Sequence, residues 1–587
     1  MPETHLSQAS LNLRYGSNAG QPLTRRDGIL KVTGRATYAA DNHPEGMLYA
    51  VCAVSTIARG RVMQLDVEAA KAHPQVVEVI TPANRPPLAG DPEAKGSLFA
   101  FRLEALQNDR VRYAGQPIAL VVAETLEAAT EGAALLKPRY QVEPARLGLD
   151  VGRFLPETVG VNSPSSVAHG DVEAGLSAPL SIDATYETPP QYHNAMEPHA
   201  IVASWDGDRL TLDTPNQAPH MARAAYARFF GVPPEHVLIR TPFIGGGFGS
   251  KAILAGAHIL CALAARVTGR PVKLALTRAQ MFGPVGHRGQ TRQRLRLGLK
   301  TNGRLTAISH HAIAATSSFD EFIEPAAGVS RMLYSSPAIA IAHEAARNDI
   351  GTPGPMRAPG LASGSAALEA AIDEAAEACG MDPLDFRLAN YAEVEPITGK
   401  PYSSKALREC YAQGATRFGW SGRPRAPRQM RDDNGFLVGW GMGTAVFHCP
   451  MFAAEARIAL HSDGAATIET SAIDMGQGAL TAFAQIAADS LGLDVDQVTL
   501  RFGGTHLPDG GVAGGSGHTA TAGSAIDAAG RNAVARLAEL ATADRDSPLF
   551  GAGNVGVIAR AGRLCRRDDE SRSESYAEIL ARAGLAE

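Results

Sequence analysis

Three glycine-rich segments carry most of the chemistry this sequence can offer. The first reads IGGGFGSK over 244–251, with Gly246, Gly247, Phe248 and Gly249 between an apolar strand and a long helix. Clustered glycine lets the backbone turn tightly and leaves N–H groups unshielded, so the loop and the helix after it can hold an anion or a polarised oxygen. Its spacing is not the GxGxxG of a dinucleotide turn, and the Gly-Lys-Ser/Thr order of a nucleotide-phosphate loop is missing. The second, DMGQG over 474–478, sets Gln477 between Gly476 and Gly478 just before a helix. A primary amide there offers both a donor and an acceptor. The third, GGVAGGSGHTATAG over 510–523, strings Ser516, Gly517, His518, Thr519 and Thr521 through small residues, and can wrap phosphate-bearing groups with backbone and hydroxyl donors. A tight packing turn, a helix cap and a surface loop are the respective structural alternatives. Three anion-suited loops in one chain point to a large, phosphate-bearing cofactor.

Two further segments are polar in an apolar context. Met356-Arg357-Ala358-Pro359-Gly360 places one guanidinium beside a rigid turn ahead of a helix, which suits an anionic or carbonyl oxygen. The His193 to His199 stretch, with Met196-Glu197-Pro198, is too sparse in ligands for a metal site and reads as a structural or pocket element. The sequence has no GxSxG elbow, HExxH or EF-hand loop.

These segments need a large scaffold. With 587 residues, 45 % hydrophobic and 20 % charged, the chain can bury several cores. A net charge of -5 without a long basic run argues against a nucleic-acid partner. Six cysteines without a CxxC pair indicate no zinc or iron–sulfur site in this chain and read as reduced, mostly buried thiols. The opening MPETHLSQAS has no basic-then-apolar leader and no apolar run is long enough to span a bilayer, so the expectation is a cytoplasmic polypeptide unless a partner's signal carries it to the periplasm.

Along the chain, residues 1–24 read as a polar extension. Strand, helix and turn signals from 25 to 145 read as an α+β domain: a strand at 46–55, a strand followed by a Pro/Gly-rich loop over 76–90, a turn feeding a buried strand over 111–125, and a helix then a strand over 126–144. Residues 146–171 read as a linker. The region 172–410 carries predicted helices over 222–231, 251–269 and 362–380. The region 411–587 carries a hairpin turning at 462–464 and helices over 479–492 and 524–541. Each of these two regions holds a strand, a glycine loop and a helix.

The same motifs resemble the molybdopterin-binding large subunits of the xanthine dehydrogenase / aldehyde oxidase family, and most of all those of bacterial periplasmic aldehyde oxidoreductases. The resemblance rests on Asp27-Gly28 with 31–34, Gly115-Gln116-Pro117, Met196-Glu197-Pro198, 245–249, 357–360 and Gly476-Gln477-Gly478, in that order. It implies an α+β chain: an N-terminal α/β hammerhead domain (25–145), then large molybdopterin-binding domains over 172–410 and 411–587, the last one incomplete. It implies molybdopterin cytosine dinucleotide with molybdenum held through the pterin dithiolene and by no protein side chain. Gly246, Gly247, Phe248 and Gly249 are then expected near the metal, Gln477 at its oxo side, and Arg357 and Ala358 beside it. Gly476, Gly478 and the run Ser516, Gly517, His518, Thr519 and Thr521 are expected on the pterin or its phosphates. A small [2Fe-2S] subunit and an FAD-binding subunit would take the electrons.

The family's catalytic glutamate lies in a Gly-Glu element with no counterpart in this sequence. The expectation is a separate C-terminal polypeptide that carries it; a shortened chain and a non-catalytic cofactor-binding homologue are the alternatives. Where close relatives place an arginine over the substrate pocket, this sequence has Phe447, followed by His448. An aromatic wall in place of a cation favours aromatic or bulky aldehydes, oxidised to carboxylic acids with water-derived oxygen, over the alternative of N-heterocycles.

Overall fold

The computed structural model describes residues 18–90 and 102–587. Residues 1–17 of the polar extension and 91–101 of the expected first domain lie outside the described residues.

The strand Pro117–Ala123, PIALVVA, is buried at every position. A strand apolar on both faces needs cover on both, and it has it. It lies in a seven-stranded sheet ordered Val237–Arg240, Arg209–Asp213, Ala200–Asp206, Val272–Ala275, Leu48–Val54, Pro117–Ala123, Val76–Ile80. The helices Pro219–Phe230 and Gly256–Thr268 contribute to the core that includes Leu120, Val122 and Ile201. On the opposite side, Val79, Ala119 and Val121 pack with Ala133 and Leu135 of the helix Leu126–Leu135. The sheet crosses the expected domain boundary: Leu48–Val54 pairs in parallel with Val272–Ala275.

A second sheet of six strands contains Leu180–Thr188, Thr291–Leu299, Leu305–Ser317 and Ile339–Asn348. Leu295, Leu297 and Leu299 face the helix Leu361–Ala378, while Arg292, Arg294 and Arg296 on the other face pair with Glu187, Asp183 and Glu173. This is the period-2 alternation of a half-covered sheet, antiparallel except where Leu305–Ser317 and Ile339–Asn348 run parallel. The segment expected as a linker is built into this sheet. Ser166–His169 pairs with Ile339–Asn348 along one edge, and Arg153–Phe154 pairs with the same strand. Backbone pairing, which polar side chains leave intact, is what the composition concealed.

The third region packs the helices Ala479–Leu491 and His518–Ala543 on each other and over the strands Arg457–Leu460, Ala466–Glu469 and Val498–Arg501. The long helix starts six residues before its predicted start at 524, so His518, Thr519 and Thr521 belong to its first turn rather than to a loop. The preceding helix in the first half starts later than predicted: Ser250–Ala252 is a 3-10 turn and the α-helix begins at Gly256. All six cysteines are free; Cys52, Cys261 and Cys565 are buried, Cys379 is partly buried, and Cys410 and Cys449 are exposed, so only half are core thiols. No helix among the described residues is long and apolar enough to cross a membrane.

Candidate cofactor site

The strand Val237–Arg240 delivers the first glycine loop. Gly246 and Gly249 have φ of 92° and 112°, and Phe248 is left-handed at 56°. A Cβ at Gly249 would stand 1.9 Å from the Pro355 carbonyl oxygen, and one at Gly247 2.4 Å from Gln217 Oε1. Glycine is therefore required by close approach as well as by conformation. The Gly249 N–H donates to Gln217 Oε1 at 3.0 Å. The N–H groups of Gly246, Gly247 and Phe248 find no acceptor among the described residues.

The Arg357 loop is fastened to the first. The Arg357 N–H donates to the Phe248 carbonyl at 2.9 Å. Arg288, almost fully buried, donates from Nη2 to the carbonyls of Met356 and Arg357, each at 2.6 Å, and pairs through Nε with Glu324 at 3.1 Å. Glu324 also accepts from the Gly360 N–H at 2.7 Å and the Ser363 hydroxyl at 2.9 Å. Burial pushes the Glu324 carboxyl up, and the Arg288 charge opposes it. His193 Nε2 donates to the Pro355 carbonyl at 2.8 Å, and burial holds its imidazole below the ordinary range. Ala358 is left-handed at φ 63°, its N–H is open, and the Arg357 side chain is exposed.

The DMGQG loop abuts the first loop through Ile244 N–H to the Asp474 carbonyl at 3.2 Å. Asp474 is buried and its Oδ1 accepts the Gly476 N–H at 2.7 Å, with Lys31 and Arg25 each 3.5 Å away. Gln477 is exposed, and its Oε1 accepts the Met475 N–H of its own loop at 2.8 Å. The third loop meets the second at His518, whose Nε2 accepts the Ile473 N–H at 3.2 Å. Burial holds this imidazole below the ordinary range, and the accepted bond puts its proton on Nδ1. Thr521 Oγ1 accepts the Phe452 N–H at 3.1 Å. Ser516 and Thr519 are exposed, Ser516 is left-handed at 54°, and a Cβ on Gly517 would stand 2.0 Å from the Pro450 carbonyl oxygen. The N–H groups of His518, Thr519 and Ala520 form the open first turn of a 26-residue helix.

Gln217, which sequence reasoning passed over, joins the halves. It lies between the strand Arg209–Asp213 and the helix Pro219–Phe230, buried, and bonds to both Gly249 and Ala513. The only sign of it in the sequence is an amide pair, Asn216-Gln217, sitting where a turn residue would serve. Ile244, Ile473 and Ala513 form one small apolar cluster beneath the three loops. Phe447 and His448 stack at 5.2 Å with 12° between planes in an exposed segment, and the next residue, Cys449, bonds the Ser516 carbonyl at 3.3 Å. That segment therefore borders the third loop. The structure thus brings the glycine loops and the Arg357 loop together. It offers open N–H donors at 246–248, Ala358 and 518–520, a set that fits the oxygens and phosphates of a pterin nucleotide.

Comparison with known proteins agrees with this geometry. Residues 156–391 and 413–586 each match the molybdopterin cofactor-binding domain, and residues 33–144 match the a/b hammerhead domain of aldehyde oxidase and xanthine dehydrogenase. The chain belongs to the xanthine dehydrogenase / aldehyde oxidase family, as a molybdopterin-binding subunit of a molybdenum-dependent oxidoreductase. It is 38 % identical over 553 residues to the aldehyde oxidoreductase molybdenum-binding subunit PaoC of Escherichia coli (strain K12), covering 93 % of this chain and 74 % of that one. It is 30 % identical over 507 residues to the putative xanthine dehydrogenase molybdenum-binding subunit XdhA of the same organism, covering 81 % and 66 %. The fold is shared with quinoline 2-oxidoreductase from Pseudomonas putida 86, at TM-score 0.82 and 24 % identity, covering 97 % of this chain and 76 % of that one.

Proposed function

We propose that this chain holds molybdopterin cytosine dinucleotide and forms the substrate-oxidising subunit of an aldehyde oxidoreductase, acting on aromatic or bulky aldehydes. The observation that carries the reading is the convergence of open backbone donors from both halves of the chain around Gln217. When bound, the molybdenum cofactor supplies two-electron oxidation with oxygen drawn from water. The protein's part is to hold and orient. Gly246, Gly247 and Phe248 offer N–H groups to the inner end of the cofactor, and Ala358 offers one beside them. Gln477 is set toward the oxo side of the metal, its flanking Gly476 and Gly478 border the pterin, and the helix start at 518–520, with Ser516 and Thr519 exposed there, suits the phosphates. His518 and Thr521 act by fixing backbone, since their side-chain acceptors are occupied by the Ile473 and Phe452 N–H groups.

Among the described residues, three carboxylates at this cradle are already engaged by N–H groups and cations. Glu197 is held by Lys251 and the Gly245 N–H, Glu324 by Arg288 and the Gly360 N–H, and Asp474 by the Gly476 N–H with Lys31 and Arg25 close by. The glutamate base that the family resemblance implies is proposed to come from a separate C-terminal polypeptide. A small [2Fe-2S] subunit and an FAD subunit are the proposed electron acceptors. The relative named as an aldehyde oxidoreductase supports the aldehyde class, and the Phe447–His448 stack supports a flat substrate.

The test is to purify the chain with its co-purifying partners and assay molybdenum, released cytidine nucleotide and turnover of benzaldehyde against a quinoline, in 18O-labelled water. Molybdenum near one per chain with labelled benzoate supports the reading. Quinoline turnover without benzaldehyde turnover replaces the aldehyde with an N-heterocycle, and a chain free of molybdenum and nucleotide sinks the cofactor assignment.

A further inference from the structure

Glu197 and Lys251 are 54 residues apart, and both lie against the first glycine loop. Lys251 is among the most deeply buried long side chains of the chain, at 1 % exposure. Its Nζ donates to Glu197 Oε2 at 2.6 Å and to the Glu197 carbonyl at 3.0 Å. The same Oε2 accepts the Gly245 N–H at 2.8 Å, and the Glu197 N–H donates back to the Gly245 carbonyl at 3.1 Å. One carboxylate oxygen thus grips both ends of the segment 245–251, and the three open N–H groups of Gly246, Gly247 and Phe248 lie between the two grips.

The fit is close. A Cβ at Gly245 would stand 2.5 Å from the Cβ of Glu197, so the backbone of the loop lies directly on this residue. The segment carrying Glu197 is itself anchored: Arg278 donates to the Met196 carbonyl at 3.1 Å, and the Leu276 N–H to the His199 carbonyl at 2.9 Å. Behind Lys251 stand His199 and His258, with ring centres 5.4 Å apart; burial disfavours the charged form of both, and Glu197 provides the carboxylate that balances the ammonium there. Burial pulls the Lys251 ammonium below its ordinary range, and Glu197 opposes that. A buried ion pair contributes little net stability compared with an apolar pair of the same shape. What an apolar pair could not do here is accept the Gly245 N–H and tether the far end of the loop at the same time.

We infer that the Glu197–Lys251 pair is a positioning clamp that sets the spacing of the Gly246, Gly247 and Phe248 N–H groups, and through them the seating of the cofactor. The inference rests on the reading of this loop as part of the cofactor cradle. Removing Lys251 alone strands a buried carboxylate, and the chain with that change can fail to fold. The informative variant is the uncharged pair, Glu197→Gln with Lys251→Met, which keeps an acceptor for Gly245 and releases the other end.

Two measurements on the purified complex decide it, together with amide exchange on the chain made in cells that lack the pterin. The clamp requires that Gly249, Ser250 and Ala252 exchange at least tenfold faster in the double variant while the strand Leu305–Ser317 keeps its wild-type rates. It also requires at least a tenfold loss of bound pterin per chain and a fall in kcat larger than any rise in KM. A merely stabilising pair would speed exchange in both segments alike, and that result overturns the clamp. Wild-type pterin content in the double variant overturns it as well, whatever the exchange shows. Wild-type complex that itself carries no pterin overturns the cradle reading instead, and is told apart because it is seen before any variant is made.

Discussion

Gln217 and Ala513 are bound to each other twice: the Ala513 N–H donates to the Gln217 carbonyl at 2.8 Å, and Gln217 Nε2 donates to the Ala513 carbonyl at 2.7 Å. Residues 296 apart in sequence thereby fix the third loop against the first, since the same amide also accepts the Gly249 N–H. Gln217→Ala leaves that N–H and the Ala513 carbonyl without their partner in a buried place, at a cost of ~1–3 kcal/mol. The expected outcome is roughly a five- to hundredfold loss of pterin retention, read as cytidine nucleotide released per chain. Unchanged retention would mean that the two halves are held in register by other contacts.

Gly249→Ala places a Cβ 1.9 Å from the Pro355 carbonyl oxygen at a φ of 112°. The Arg357 loop must move to admit it. Misplacement of a loop by about 1 Å costs on the order of a hundredfold in rate, so kcat should fall by that order. Gly414→Ala is the comparison: it lies in the helix Leu407–Phe418 with nothing within 4 Å of its Cβ, and should raise stability slightly, by about 0.5–1 kcal/mol, with kcat unchanged. Equal activity in both variants would remove the steric argument for the first loop.

Much of this arrangement can be read in the sequence, and what cannot has a physical reason. The strand at 117–123 and the helices at 222 and 362 announce themselves because burial imposes period and composition on a continuous stretch. The glycine loops announce themselves because close approach forbids a side chain. Gln217, Arg288 and Glu324 stay silent: each is one polar residue whose meaning lies in a partner far along the chain. The start of the helix at His518 is equally hidden, because Gly517 at its cap and the Thr and Ala of its first turn suit a loop as well as a helix end.

Phe447 stacks on His448 at 5.2 Å and is partly exposed. Phe447→Ala should raise KM for benzaldehyde roughly two- to tenfold, the range of a lost aromatic contact of ~0.5–1.5 kcal/mol, and leave kcat for acetaldehyde as it was. Steady-state assays of the two aldehydes side by side check this, and a parallel change in both would place the ring outside the substrate's path.

Burial pushes His258 and His287 down to about 4, and His310 to about 3, from an ordinary 6.5. The unfolded chain therefore binds more protons than the folded one below pH 6.5. Stability contributed by these rings is full above 6.5, falls as pH drops from 6.5 toward 4, and falls at up to about 1.4 kcal/mol per pH unit for each. His258→Leu removes one share, so its unfolding midpoint should depend less steeply on pH than that of the unaltered chain across this window. Parallel slopes would show that His258 is already protonated in the folded state.

The pairing of Leu48–Val54 with Val272–Ala275 has a consequence for the chain as it is made. The first strand leaves the ribosome about 220 residues before its neighbour, which at 5–20 residues per second is roughly 10–40 s. Through that interval its edge is open to any passing strand, and the N-terminal region waits half-built for sequence from the middle of the polypeptide. Nascent chains halted between residues 150 and 270 should engage chaperones that nascent chains released beyond 300 do not.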